Sequence, residues 1–337
     1  MTERAEHGRS RIGETLGPYR LVERIFAGEV VDTYVAQMQA GHGFERLVAL
    51  RCPKPNADAN SRAYGILYSE ASVGALVQHP NVLSARGVHL SEDGVPYVTT
   101  PYFESVSVQR LWQVLRQKKE RMPLALGLTV GRELCSALRH IHGVRAAGNG
   151  TSVLLHHGLT PDAVQLTFEG DVLVSGLEGV TWSESTTRQP HPRTAFVAPE
   201  RSRGDYGVRG DLFAIAGILY FLVNGKEPKS ASSGPYTMHP TLPAGAPEAF
   251  QALMYRAMHV DPARRFSSAL KFQIELEDFA ALYQLGLSKV QLGRYINAHV
   301  ERPAPVDALE RFVNRETLEL AAVDTQSADA RRDGDEP

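Results

Sequence analysis

Cysteine is nearly missing from this chain: Cys52 and Cys135 are the only two among 337 residues. Two distant cysteines make neither a disulfide framework nor a metal-ligand cluster, so two buried thiols in a reducing compartment are expected. Long apolar runs are missing as well. The longest, LFAIAGILYFLV (Leu212–Val223), has 12 residues, is too short to cross a bilayer, and reads as a buried core helix. The opening MTERAEHGRSRIGETLG has no apolar stretch of the signal-peptide kind, so a cytoplasmic location without a membrane partner is expected. Net charge is scarce: 36 Lys and Arg against 38 Asp and Glu leave a formal −2, no footing for a nucleic-acid partner. No internal repeat occurs. Residues 1–16 and 319–337 are poor in apolar side chains and are expected to be disordered.

What is present is an ordinary globular composition, 43% apolar and 22% charged, in a chain long enough for one large domain or two lobes. Residues 19–36 and 46–53 carry the β-branched, apolar pattern of strands. Ser61 to Gln78 has helical spacing and stops at Pro80. Further strands are expected over 82–89 and 96–103. Helical patterns then take over, in SVQRLWQVLRQ, in LALGLTVGRELCSALRHIH, in PEAFQALMYRAMHV and in SSALKFQIELEDFAALY, the last with Ser267 as a candidate N-cap. LSKVQLGRYINAHV adds one more, capped by Ser288. Between the helices, LLHHGLTPDAVQLTFEGDVLVSGLEG (Leu154–Gly179) reads as a loop, a hairpin turning at Glu169-Gly170, and a second loop. The organisation expected is a strand-rich lobe over 17–103, a helical lobe over 104–282 and a helical extension over 283–318: an α+β, bilobal fold.

Several motifs fall in order along this layout. YRLVERIFAGEVVDTYVA reads as a strand, a glycine-containing turn and a strand. VALR ends in Arg51, and YSEAS supplies Glu70 on the following helix. YVTTPYFES could serve as a hinge. His156 and Pro161 frame the loop before the hairpin. Ala198-Pro199-Glu200, RGDLF with Asp211, and DPARR with Arg265 follow. From Tyr19 to about Ala281 the chain resembles the bacterial Ser/Thr protein kinases of the eukaryotic type.

That resemblance implies roles and exposes gaps. The nucleotide pocket would be lined by Phe26, Gly28, Val31, Ala49, Arg51, Glu70, Thr100, Pro101, Phe103 and Gln165. In the family's G-x-G-x-x-G turn, backbone N–H groups lie against phosphate; here Phe26 and Val31 replace two glycines, leaving Gly28. Arg51 stands for the phosphate-holding lysine, and an Arg51–Glu70 ion pair is expected; Lys54, past the strand's end, is a poorer substitute. The catalytic aspartate corresponds to Gly158, and the two metal-binding side chains to Ala163 and Gly176. Nearby Asp162 and Glu178 are offset from those places and are expected to be solvated surface acids. His157 replaces an arginine that grips a phosphorylated loop, so Thr186, Thr187 and Thr194 have no evident switch to throw. His156, Glu200, Asp211 and Arg265 are expected to be structural. A pseudokinase that binds protein partners, such as active kinases or other signalling proteins, with no metal or cofactor, is the leading expectation. The alternatives are an active or weakly active Ser/Thr kinase using Arg51, Asp162 and Glu178, and a switch that binds ATP without Mg²⁺.

Overall fold

The computed structural model of the chain describes residues 10–38, 46–55, 57, 61–145, 152–183, 194–228 and 246–303. Of the disorder expected at residues 1–16 and 319–337, residues 1–9 and 319–337 lie outside them, as do the helical continuation over 304–318 and Thr186 and Thr187; residues 10–16 depart from the expectation, since Thr15–Leu16 is a strand paired with Tyr19 and Arg20. Among the described residues no helix is long and apolar enough to cross a membrane.

The first sheet has six strands: β1 (Thr15–Leu16), β2 (Tyr19–Ala27), β3 (Val31–Met38), β4 (Arg46–Pro53), β5 (Val88–Leu90) and β6 (Pro96–Pro101), in the order β1-β2-β3-β4-β6-β5. Alternation gives it two apolar faces. Leu21, Tyr34, Ala36, Val48, Leu50, Cys52 and Tyr97 cluster on one. On the other, Val31 and Val98 pack against Ala63, Leu67 and Ala71 of α1 (Arg62–Leu76). The strand expected over 82–89 is shorter than read. Val82 bridges to Val174 instead, and Val174 donates to Asn81 O while Leu83 donates to Val174 O, both at 2.8 Å. This segment is consumed in tying the first sheet to the second lobe.

The remainder comprises β7 (Ser105–Ser107), α2 (Val108–Gln117), α3 (Leu124–Gly143), β8 (Leu154–Leu155), β9 (Val164–Thr167), β10 (Val172–Val174), β11 (Thr181–Trp182), α4 (Val208–Asn224), α5 (Glu248–Ala257), α6 (Ala269–Leu282) and α7 (Lys289–His299). The small sheets β10-β9-β7 and β11-β8 carry the loops between them. The 12-residue apolar run is the body of α4, where every residue from Gly210 to Asn224 is buried. Gly225, at φ 69°, stops that helix by donating to Phe221 O. The N-cap of α6 is Ser268 rather than Ser267: Ser268 has the extended backbone, and its hydroxyl accepts from Lys271 N at 3.2 Å. Ser288 caps α7 as read.

The extension docks on the large lobe. Gly170, at φ 95°, lies so close to α7 that a Cβ would stand 1.8 Å from Lys289 O, and a Cβ on Gly293 would stand 2.7 Å from the carbonyl carbon of Glu169. Only hydrogen at both places permits this backbone-to-backbone approach. Leu292 and Ile296 are buried beneath it, and Asn297 Nδ2 donates to Phe168 O at 2.7 Å. Both cysteines are free and buried; burial pushes the Cys52 thiol up to about 12, which makes it unreactive.

Candidate functional site: a kinase-like cleft without its acids

The loop at 156–158 is held from below by one carboxylate. Asp211, fully buried near the start of α4, accepts at Oδ2 from His156 N (2.7 Å) and His142 Nε2 (2.8 Å), and at Oδ1 from His157 N (3.0 Å) and the Tyr206 hydroxyl (3.0 Å). Burial works against this charge, but the hydrogen bond from His142 and the surrounding imidazoles outweigh it and hold the carboxyl well below its usual range. His157 adopts φ 58°, stacks on Tyr206 at 4.7 Å, and its carbonyl accepts from Arg201 Nη1. His156 links this loop to the next. Gly158 N donates to its Nδ1 (3.3 Å), so Nε2 carries the proton and donates to Ser175 O (3.1 Å). Burial pulls both imidazoles, His156 and His157, below their ordinary range. Farther down, Arg265 grips Glu200 with two bonds of 2.7 and 2.8 Å, both side chains buried, and also donates to His259 O.

Above this frame, Gly158, Ala163 and Gly176 carry no side-chain oxygen or nitrogen. A Cβ on Gly158 would meet nothing nearer than 3.8 Å, and one on Gly176 nothing nearer than the Ala163 methyl at 3.6 Å. Space for a Cβ is therefore present at both, although the left-handed backbone at Gly176 strains any residue with a side chain. Gly176 adopts φ 81°, and that left-handed residue turns the chain into a short 3₁₀ turn over Leu177–Gly179. The turn corrects the sequence reading of Glu178. Instead of pointing to solvent, its carboxylate is aimed at the sheet, where it accepts from Arg51 Nη1 (3.1 Å) and Nη2 (3.2 Å). The same guanidinium bonds Glu70 of α1, so the expected Arg51–Glu70 pair is present with a second acid added. Burial raises the Glu70 carboxyl, with Arg51 opposing, whereas at Glu178 Arg51 outweighs burial and holds the carboxyl down. One positive charge serves two negative ones.

The other pocket residues lie around this clamp. Thr33 pairs with Arg51, and Ala49 with Thr100, across the sheet. Gly28 is demanded by its own hairpin, because a Cβ there would stand 2.2 Å from Val31 O. Phe26 is 57% exposed on that hairpin, and Val31 faces α1. The Gln165 amide turns back to donate to Asp162 O at 2.9 Å, and Asp162 is exposed. Pro101 pairs with Val48 at the end of β6, and Phe103 beyond it is half exposed. Tyr206, His142 and Arg201 were not legible as parts of the loop support, since their register against 156–158 is set only in three dimensions.

A strand-rich lobe with one helix, a helical lobe, and an Asp211-anchored loop between them define a protein-kinase fold. The chain is related to the bacterial protein kinases of the eukaryotic type. It is 25% identical over 328 residues to the tyrosine-protein kinase MasK of Myxococcus xanthus, covering 91% of this chain and 48% of that protein. It is 28% identical over 296 residues to the serine/threonine-protein kinase pkn3 of the same species, covering 79% and 51%. The chain thus spans about half the length of these curated relatives. The crystal structure of the Mycobacterium tuberculosis PknI kinase domain superposes with a TM-score of 0.59 at 23% identity, covering 81% of this chain and all of that one. No protein-family model matches the chain.

Proposed function

We propose that this chain is a pseudokinase, a kinase-fold binding module that acts on protein partners in signalling without transferring phosphate. The observation that carries this reading is the clamp: Arg51, the guanidinium at the phosphate-holding place, is bonded to both Glu70 and Glu178. One guanidinium set against two carboxyl groups leaves no net positive charge whichever protonation state the raised Glu70 holds, so a triphosphate arriving there meets no free cation. Magnesium does not fit either. Gly158, Ala163 and Gly176 offer it no side-chain oxygen, Glu178 is engaged by Arg51, and among the described residues no group of three or more metal-ligating side chains occurs.

The rate consequence is large. Kinases work by positioning and charge stabilisation at about 1–100 s⁻¹. A general base contributes roughly 10²–10⁴, and metal ions neutralise the developing phosphate charge. Two non-additive losses of roughly 10³ each would leave about 10⁻⁴ s⁻¹ or less. What the protein retains is its support: the saturated Asp211 and the Glu200–Arg265 pair hold a kinase-shaped surface for recognition.

Melting the purified protein with ATP, with and without Mg²⁺, tests the reading, because a ligand that binds the native state raises Tm. No shift in either condition is expected. A shift requiring Mg²⁺, accompanied by phosphate transfer above trace turnover, overturns it in favour of an active kinase; a metal-independent shift makes the cleft an ATP-binding switch.

A further inference from the structure

A second concavity, of about 230 Å³, lies apart from the clamp and is lined by Pro80, Val82, Leu83, Arg86, Phe103 and Leu173 among others. Its walls come from the loop after α1, the hinge and β10. Much of its polar lining is already engaged: Ser84 Oγ donates to Val77 O at 2.5 Å, and His79 Nδ1 accepts from Asn81 N at 3.1 Å. Its apolar wall and its cation remain open. Phe103 is 45% exposed and Arg86 is exposed.

Two ion pairs link the docked extension to residues that adjoin this groove's lining through a hydrogen bond or in sequence. At the start of α7, Lys289 pairs with Glu133 at 3.1 Å, and Glu133 accepts from Asn81 Nδ2 at 3.0 Å; Asn81 lies between the groove residues Pro80 and Val82. Beyond the end of α7, Arg302 pairs with Glu104 (3.4 Å) and Glu169 (3.0 Å) and lies over the Phe168 ring at 5.0 Å. Glu104 is the sequence neighbour of Phe103, so the end of the described chain is tethered through Arg302 to the residue next to the groove's apolar wall. The next residues read APVDALERFV. Pro303 and Pro305 bias the exit toward extended backbone. Val306, Leu309 and Val313 then recur at i, i+3 and i+7, with the acids Asp307 and Glu310 beside them.

We propose that the segment just after Pro303, residues 304–313, is the occupant of this groove, docking Val306, Leu309 and Val313 on the wall that includes Phe103 and setting its acids toward Arg86. The docked surface of α7 and the groove then form one continuous intramolecular interface along the hinge. This inference does not depend on what the cleft binds.

A single reporter thiol in the full chain tests it. Gln78 is exposed and lines the groove, while both native cysteines are buried, so Gln78→Cys supplies one accessible site for a maleimide. The expected result is slow modification, independent of protein concentration, that becomes several-fold faster when Leu309→Asp and Val313→Asp are added, and faster to a smaller degree with Arg86→Glu. Circular dichroism of each variant checks that the fold is intact. Equal rates with and without the aspartates overturn the proposal. Protection that appears only as protein concentration rises also overturns it, because the occupant is then a second copy of the chain.

Discussion

Two regions of this molecule handle charge in opposite ways. Around Asp211 and around Arg265, each buried ion is met by several partners: four donors converge on the Asp211 carboxylate, and Arg265 spreads its bonds over Glu200, His259 O and Arg209 O. In the cleft the ratio is reversed, and two carboxylates share Arg51. The difference separates what holds a kinase shape from what runs kinase chemistry. Shape needs saturated, desolvated polar groups; phosphate and metal handling needs groups left open for a ligand. On the function proposed above, this chain keeps the first and closes the second.

Breaking the saturated side should cost most. Arg265→Ala strands Glu200 in the interior, and about 3–5 kcal/mol of stability should be lost in urea unfolding; a loss under about 1 kcal/mol would show that the pair is dispensable. Next comes Gly293→Ala. Its new Cβ must push backbone atoms of Phe168 and Glu169 apart, since they stand 2.7–2.9 Å away, and overpacking of this kind costs about 1–3 kcal/mol. Faster hydrogen exchange in α7 should accompany the loss; unchanged exchange and stability would mean that the contact is slack.

A smaller effect should appear with pH. Burial keeps His156 and His157 neutral in the folded chain, whereas the unfolded chain takes up protons near the ordinary value of about 6.5. Stability from these groups is full above that value and is lost as pH falls below it. Asp211, held low, stays charged throughout this window, and Glu70, raised by burial, acts in the opposite sense, adding stability as pH falls. Tm should therefore fall between pH 7 and pH 6, and His156→Gln should flatten that slope; a level wild-type profile would sink the idea. The smallest stability change is expected of Glu178→Gln. Its side chain is 31% exposed, so the cost should stay within about 1 kcal/mol. The same change removes one of the two acids on Arg51, and a Tm rise with ATP should appear in the variant and not in the parent. Identical ATP responses would show that the clamp does not guard the cleft.

Much of the scaffold was legible in the sequence because it rests on local periodicity and on fixed residue types. Leu126, Val130, Leu134, Leu138 and Ile141 declare α3; Glu200, Asp211 and Arg265 declare its supports. The vacancies proposed at Gly158, Ala163 and Gly176 rest on residue type alone, since a glycine in place of an acid needs no geometry to be noticed. What escaped depends on backbone direction. Glu178 read as a surface acid because nothing in its spacing reveals that Gly176 turns left-handed and aims the next carboxylate inward. Residues 82–89 have strand composition, yet bonding to β10 claims the start of the segment. Whether the extension docks at home was undecidable from its amphipathic pattern alone, because the deciding contact is between two glycines with no side chain to advertise it.

That glycine contact also fixes where this protein can be cut. A fragment ending after α6 would contain every kinase-like motif, but it would leave the Phe168 carbonyl without the Asn297 amide and uncover the apolar ground beneath Leu292 and Ile296. The smallest piece expected to stand alone therefore runs past Arg302. For anyone trimming the chain for crystals or for a binding screen, the useful boundary is set by a helix that no kinase motif predicts.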